Sequence, residues 1–266
     1  MAKTALIITH AGGNIKSRET SKETGFRLQL GGARCRADGD SERDAKRSLA
    51  ESEKVVCSGK NRGVRMRLEN NFEYINEDFS QASFAELDLR GSRFVGCQFR
   101  NTSLEEMMSS SCSFSECDFT QARLNASVHT NSAFLNCQFN GTNLFGATFR
   151  ECKMTGSTFV KVNFNGLTTQ GGDWSFTSLR HNNLKGVGLR QVRLTEADLY
   201  ECNLEKMDLR ETDLTNAVLA KASLAGADLR GARVDGVDFM QVNLRDVRID
   251  IPQAIAIAQS YGARVE

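Results

Sequence analysis

From Tyr74 to Ile249 every fifth residue is large and apolar at 33 of 36 positions, and the register never slips. A second, small position lies two residues earlier. From Ala82 to Val247 it holds Ala, Cys, Ser, Thr, Gly or Val at 29 of 34 sites. A period of five fits neither an α-helix nor a β-strand, so the chain must turn within every repeat. Four repeats close a square coil, and stacked coils predict an all-β, quadrilateral β-helix.

Glycine placement supports this fold. Of 13 glycines within the repeats, 11 lie two residues after a large position, where a type II turn requires positive φ. The 36 positions make nine coils, which at about 4.8 Å per coil give a column roughly 43 Å long. Phe dominates the large positions before Leu179 and Leu dominates after it, so we expect a bulkier interior in the N-terminal half.

Three polar residues interrupt the large position. Ser109, His129 and Thr169 differ by multiples of 20 in sequence and therefore belong to one wall of the column. Two interpretations are open at this point. The wall has a local bulge there, or it forms a functional pocket around His129 that an enzyme could use.

Cysteine usage indicates packing rather than chemistry. Six of the eight cysteines take the small inward position, where cysteine behaves as a small hydrophobe: Cys97, Cys112, Cys117, Cys137, Cys152 and Cys202. Free buried thiols suit a reducing compartment and predict a cytoplasmic protein. The sequence has no CxxC pair, phosphate-binding loop or catalytic triad spacing, and a regular solenoid has flat walls. We therefore predict no metal, no cofactor and no enzymatic activity.

Two segments flank the repeat domain, which spans residues 74–250. Residues 1–73 hold 15 Lys and Arg against 10 Asp and Glu with little periodicity, which predicts a disordered or poorly ordered basic extension. Alternatives are a non-native upstream extension, since Met66 lies just before the repeats, and a basic nucleic-acid-binding tail. The segment has no apolar stretch long enough for a signal peptide or a membrane span.

Residues 251–266 predict a short apolar helix. Asp250 or Ile251 can cap its start, Pro252 suits its first turn, and Gly262 can end it. An open solenoid end exposes core and unpaired edges, so we expect this helix to cap it, either alone or together with a symmetric dimer interface.

Acidic residues give a candidate partner-binding surface. The column carries 22 acids and 18 bases, a net charge of −4. Ten acids form the candidate surface: Asp118, Glu196, Asp198, Glu201, Glu205, Asp208, Glu211, Asp213, Asp228 and Asp238. One interpretation is an ordinary solvated surface. The other is a rod whose carboxylates imitate DNA phosphates, so that it binds to a basic, saddle-shaped DNA-binding surface on a partner. Two columns end to end span about 86 Å, similar to about 25 base pairs.

The stretches 132–139, 148–154 and 249–258 carry a resemblance to a known family. The chain resembles the pentapeptide repeat proteins, and among them the fluoroquinolone-resistance members MfpA and Qnr. That resemblance implies a right-handed quadrilateral β-helix and a homodimer through the C-terminal end. It also implies binding to DNA gyrase in place of DNA, with topoisomerase IV as a second candidate partner, and protection from quinolones.

The details of the resemblance sharpen these expectations. The unbroken register is similar to the loop-free MfpA type, although MfpA-like rods are more acidic than this column. The apolar residues at the C-terminal end are the candidates for the dimer contacts: Ile249, Ile251, Ile255, Ala258 and Tyr261. Neither nucleic acid nor membrane is expected as a direct partner. The alternative function is a scaffold or interaction solenoid with an unrelated protein partner.

Overall fold

The computed structural model describes residues 68–266, and the expectations for residues 1–67 lie outside that range. The elements are β1 (Glu73–Ile75), β2 (Asp88–Arg90), β3 (Arg93–Val95), β4 (Met108–Ser110), β5 (Ser113–Ser115), β6 (Val128–Thr130), β7 (Ala133–Leu135), β8 (Thr148–Arg150), β9 (Thr168–Gln170) and α1 (Ile251–Ser260). The strands form two parallel sheets, in the orders β1-β3-β5-β7 and β2-β4-β6-β8-β9. The predicted β-helix with a short C-terminal helix is confirmed.

Four walls enclose the column. Wall A holds the large residues that follow Tyr74 in steps of 20, and walls B, C and D start in the same way at Phe79, Phe84 and Leu89. The two sheets lie on walls A and D. Single parallel bridges, again 20 residues apart, continue the stacking on all four walls, and the last joins Asp228 to Arg248. The backbone groups are thus paired from coil to coil, as a buried chain requires.

The corners show the backbone conformation that the glycines predict. The 11 glycines that follow a large position by two residues all have positive φ, between 64° and 82°. Asn, Gln, Glu, Lys and other residues adopt the same conformation at the equivalent corners. The bulkiest of these is Phe176, at φ 60°. Because a side chain at positive φ is strained, the coil geometry must impose this conformation wherever glycine is absent.

Aromatic ladders fill the N-terminal half, as expected. On wall A the ring centroids of Phe94, Phe114 and Phe134 are 4.7 and 4.8 Å apart. A second ladder runs along wall B, where Phe119 lies 4.9 Å from Phe99 and 5.1 Å from Phe139. These spacings match the rise of one coil, so each ring stacks directly on the next. Leu replaces Phe at most large positions farther along the column.

On wall D a large apolar residue occupies the small inward position in two of the repeats whose large position is polar. Met107 and Leu167 occupy small positions next to Ser109 and Thr169, and both are fully buried. The larger side chain thus fills the space that the smaller partner leaves. This exchange keeps the inward volume similar from coil to coil, and together with the burial of Ser109 and His129 it supports the bulge interpretation over a pocket.

Helix α1 closes the C-terminal end of the column. Asp250 precedes it, and the Asp250 N–H donates to the Gln253 side chain at 2.8 Å, one half of a capping box. The Gln253 amide donates to the Ala232 carbonyl at 2.6 Å and is itself buried. Ala256 and Ile257 pack against the core from the same helix face. The predicted helix therefore caps the last coil.

Candidate functional site

The polar cluster on wall D is a closed hydrogen-bond network. His129 is 1% exposed, and its Nδ1 lies 2.7 Å from the Ser109 hydroxyl. Its Nε2 lies 3.0 Å from the Ser127 hydroxyl, and its ring stacks on Phe149 at 4.8 Å. Desolvation lowers the pKa of His129 to about 3, so the ring is neutral near pH 7. No substrate can reach this histidine in the folded chain, and the network serves packing.

The inward cysteines also belong to the core. All six are buried and free of disulfides. Desolvation raises the pKa of the Cys152 thiol to about 11, which keeps it unreactive at neutral pH. Within residues 68–266 no three His, Cys, Asp or Glu side chains gather in a way that could hold a metal ion. In the same range, no helix has the length and apolar character needed to cross a bilayer.

The ten candidate acids lie on every wall of the column. Assigned to the wall of the nearest large residue, they are Glu196 and Asp213 on wall A, Asp118, Asp198, Glu201 and Asp238 on wall B, Glu205 on wall C, and Asp208, Glu211 and Asp228 on wall D. Walls B and D hold seven of the ten. The structure thus concentrates the acids on two opposite walls but does not bring them into one patch.

Basic side chains accompany most of these acids. Eight of the ten lie within 4.0 Å of a Lys or Arg side chain, and the exceptions are Glu196 and Asp238. On wall D, Arg210 contacts Asp208 and Arg230 contacts Asp228, both at 2.7 Å. The candidate surface therefore carries both positive and negative charges, whereas a DNA backbone carries only negative ones.

The sequence shows Arg190, Arg193, Lys206 and Arg210 among the acids. Sequence reasoning did not predict which base pairs with which acid, although the period contains a signal for the pairing. Wall D repeats an Asp-x-Arg motif, in which the two charged side chains flank one large inward residue. Residues 20 apart are also neighbours on adjacent coils, which places Arg193 against Asp173 at 3.2 Å. A search for opposite charges at spacings of 2 and 20 would have found both of these kinds of pair, and a spacing of 18 would have added the partners of Asp118 and Asp198.

The aspartates that precede a large residue have a structural role of their own. The Asp198 carboxylate accepts the Tyr200 N–H at 3.1 Å, and the Asp238 carboxylate accepts the Met240 N–H at 2.9 Å. Asn143 makes the same bond to Phe145 on wall C. A hydrogen bond from Arg230 lowers the pKa of Asp228 to about 2, so this carboxylate stays ionised. Part of the acidic pattern therefore serves the turns of the coil.

The C-terminal end exposes several apolar side chains. Of the predicted dimer residues, Ile251 is 76% exposed and Tyr261 is 61% exposed, and Ile249 is also exposed. Ile255 and Ala258 are half-buried. Along the helix, Ile251, Ile255 and Ala258 lie on the face opposite to the one that packs on the core. The capped end thus keeps an apolar face available to a partner.

Comparisons with known proteins agree with this architecture. A family model described as "Pentapeptide repeat region" matches residues 142–217, and one described as "Pentapeptide repeats (8 copies)" matches 78–106, 112–149 and 208–246. None of the curated proteins matches in sequence. The trypsin-treated structure of QnrB1, a plasmid-mediated fluoroquinolone resistance protein, is similar at 19% identity, with 74% of this chain and 99% of QnrB1 covered and a TM-score of 0.63.

A second similar structure is HetL, a pentapeptide repeat protein involved in heterocyst differentiation regulation from the cyanobacterium Nostoc. It shares 21% identity, with 69% of this chain and 86% of HetL covered and a TM-score of 0.34. At 19% identity the likeness to QnrB1 establishes the fold and leaves the partner to other arguments.

Proposed function

Because the chain belongs to the pentapeptide repeat family, we propose that it is a non-catalytic binding protein that engages DNA gyrase in place of DNA and protects it from quinolones. In this proposal two columns join through their C-terminal ends into one long rod. Topoisomerase IV is a second candidate partner. QnrB1, which has the same fold, is described as a fluoroquinolone resistance protein, and the proposal extends that role to this chain.

The observation that supports the proposal most is the form of the C-terminal end. Helix α1 caps the core yet leaves Ile251 exposed at its start, and Tyr261 is exposed directly after its end. Exposed apolar residues on a capped end favour a second apolar surface, and a second copy supplies one by two-fold symmetry. A dimer formed there doubles the length of the rod, which is the dimension that a DNA substitute requires.

The acids supply the second part of the argument. Hydrogen bonds to Arg210 and Arg230 lower the pKa values of Asp208 and Asp228, so both carboxylates are ionised at neutral pH. A basic DNA-binding surface on the partner can displace the surface arginines from these carboxylates, in the same way as it displaces counterions from DNA phosphates. Rearrangement of the ion pairs would then accompany binding.

A gyrase supercoiling assay with ciprofloxacin, run across a range of full-chain concentrations, tests the proposal. We expect recovery of supercoiling and fewer cleavage complexes. The test variant changes Asp198, Asp208, Asp228 and Asp238 to Asn, which removes four charges but keeps the side-chain oxygen that accepts each turn N–H.

A matched control changes four acids of the N-terminal half, Glu77, Glu106, Glu116 and Glu151, to Gln. These four form no ion pair within residues 68–266, so the net charge changes equally without breaking a pair. We expect the first variant to lose protection by about tenfold or more and the control to lose little. Equal protection by the wild type and the test variant would contradict the DNA-mimic mechanism.

A second candidate function is an interaction solenoid with an unrelated protein partner. The spread of the acids over four walls and their pairing with Lys and Arg favour it. Full-chain protein that neither relieves quinolone cleavage nor inhibits gyrase at high concentration would select this function over the first.

A further inference from the structure

A groove lies between helix α1 and the last coil of the column. It measures about 490 Å³, and its lining residues are Val234, Asp235, Gly236, Val237, Asp238, Met240, Ala256, Gln259 and Ser260. Val234, Val237 and Ala256 make its inner part apolar. Met240, which is 60% exposed, extends the apolar surface to the rim. The groove therefore suits a short segment with an apolar side chain.

The rim of the groove carries excess negative charge. Asp238 forms no ion pair within the part of the chain that the structure describes, and one of its oxygens accepts the Met240 N–H. Asp235 is 77% exposed and reaches Arg233 only at 3.9 Å. A segment that enters this groove would therefore gain from a basic side chain placed next to its apolar one.

The residues that follow α1 have this combination. Gly262, at φ 85°, turns the chain out of the helix, and residues 262–266 are all exposed. Val265 is an exposed apolar side chain, and Arg264 beside it forms no ion pair with any described residue. Five residues in extended form reach up to roughly 17 Å, enough to cross onto a second copy placed against the same end.

We propose that this groove receives residues 263–265 of a second copy of the chain, with Val265 in the apolar part and Arg264 against Asp235 and Asp238. The exchange is reciprocal, because a two-fold axis presents each tail to the other groove. This inference rests on the proposed end-to-end dimer and adds the segment that locks it. The exposure of Val265 in the single chain, and the opposite charges of Arg264 and of the two rim aspartates, favour a second copy as the occupant.

Charge exchange tests the proposal on the full chain. One variant, the tail variant, carries Arg264→Glu. The other, the groove variant, carries Asp235→Lys and Asp238→Lys. Sedimentation velocity across micromolar concentrations measures the dimer dissociation constant of each. We expect the Kd of each variant to rise at least about tenfold above that of the wild type, because like charges then meet in both grooves.

Mixing the two variants gives the decisive result. In the mixed dimer one groove holds the native charge pair, and the other holds the introduced glutamate of the tail variant against two lysines, so we expect dimers to return near the wild-type Kd. A control with Glu116→Lys and Glu151→Lys changes the net charge as the groove variant does, and it should dimerise like the wild type. Thermal unfolding by circular dichroism verifies that each variant is folded.

The outcomes separate this inference from the proposed dimer. A wild-type chain that stays monomeric contradicts the dimer itself. A wild-type dimer whose two variants dimerise equally well contradicts the tail exchange and leaves the dimer intact. If both variants dimerise weakly and mixing them does not restore dimerisation, the exchange is also contradicted. A tail bound in the groove of its own chain would give that result, because mixing does not change the charges that it meets.

Discussion

The two halves of the solenoid follow one repeat but differ in what they place inside and outside the coil. Up to Gln170 walls A and D carry strands and the core contains stacked Phe rings, whereas beyond it all four walls have single bridges around a core that is mostly Leu. Ion pairs show the reverse distribution, with most of them after residue 170. The spacing of inward residues fixes the fold, whereas the outward residues are free to vary along the column.

Ring stacking should make the N-terminal half the more sensitive to core deletion. Phe119 and Leu199 occupy equivalent buried positions on wall B, four coils apart. We expect Phe119→Ala to lower the free energy of unfolding by about 4 kcal/mol and Leu199→Ala by about 3 kcal/mol. The difference arises because Phe119 stacks on Phe99 and Phe139, both of which lose a neighbour.

Urea unfolding followed by circular dichroism measures both losses. Phe119→Leu serves as the control, since it converts the site to the type used in the C-terminal half, and it should cost about 1 kcal/mol. Equal losses for the two alanine variants would show that the stacked rings add nothing beyond their buried area.

His129 should make the N-terminal half sensitive to acid. Its pKa is lowered to about 3 in the folded chain by burial, whereas an unfolded histidine titrates near 6.5. Between pH 6.5 and about 3 the unfolded state binds a proton on His129 that the folded state does not bind. The free energy of unfolding therefore decreases as the pH falls below 6.5. The loss amounts to roughly 3 kcal/mol at pH 4.5.

The pH dependence of unfolding in the His129→Phe variant checks this expectation. Phe suits the site because Phe149 occupies the next large position on the same wall. The variant should lose that part of the slope between pH 6.5 and 4.5, although the Ser109 hydroxyl loses a partner at every pH. An unchanged slope in His129→Phe would contradict the buried, neutral imidazole.

How much of this molecule could be predicted from its sequence depends on the residue in question. The five-residue period determines which side chains point inward, and therefore the coil, the corners and the cysteine positions followed from it. The exchange of sizes between Met107 and Ser109 did not, because each position was considered alone while packing depends on the summed volume of both. The sequence favoured the bulge but left the pocket open as an alternative until the structure placed Met107 inside.

The candidate site was less predictable than the fold. Acidic residues are visible in the sequence, but whether a carboxylate is available to a partner depends on side-chain directions of neighbouring coils. Asp118 lies 2.6 Å from Arg100, one coil less two residues away, whereas Asp173 pairs with Arg193 a full coil away, and the sequence does not decide between these neighbours. Likewise, the apolar pattern of α1 contains two usable faces, and only the docking angle decides that Ile257 packs inward while Ile251 stays exposed.

The corner residue Phe176 marks the junction of the two halves. It is exposed, and its φ of 60° is unfavourable for a bulky side chain. We expect Phe176→Gly to raise the free energy of unfolding by about 1 kcal/mol, because glycine adopts this conformation freely. Phe176→Ala removes the ring but keeps the strain and should not stabilise. Urea unfolding compares the two, and equal stabilities would show that the corner is unstrained.

The smallest effects should come from the ion pairs, and here the halves should again differ. Asp118 is largely buried against Arg100, whereas Arg193 and Asp173 meet at a more exposed site. Double-mutant cycles should give a coupling of about 1 kcal/mol for the first pair and a few tenths for the second. Each cycle uses Asp→Asn, which keeps the turn hydrogen bond, and Arg→Met. If the exposed pair coupled as strongly as the buried one, the many ion pairs of the C-terminal half would contribute materially to the stability of that half. Its carboxylates would then be less free to leave their arginines for a binding partner than the proposed function requires.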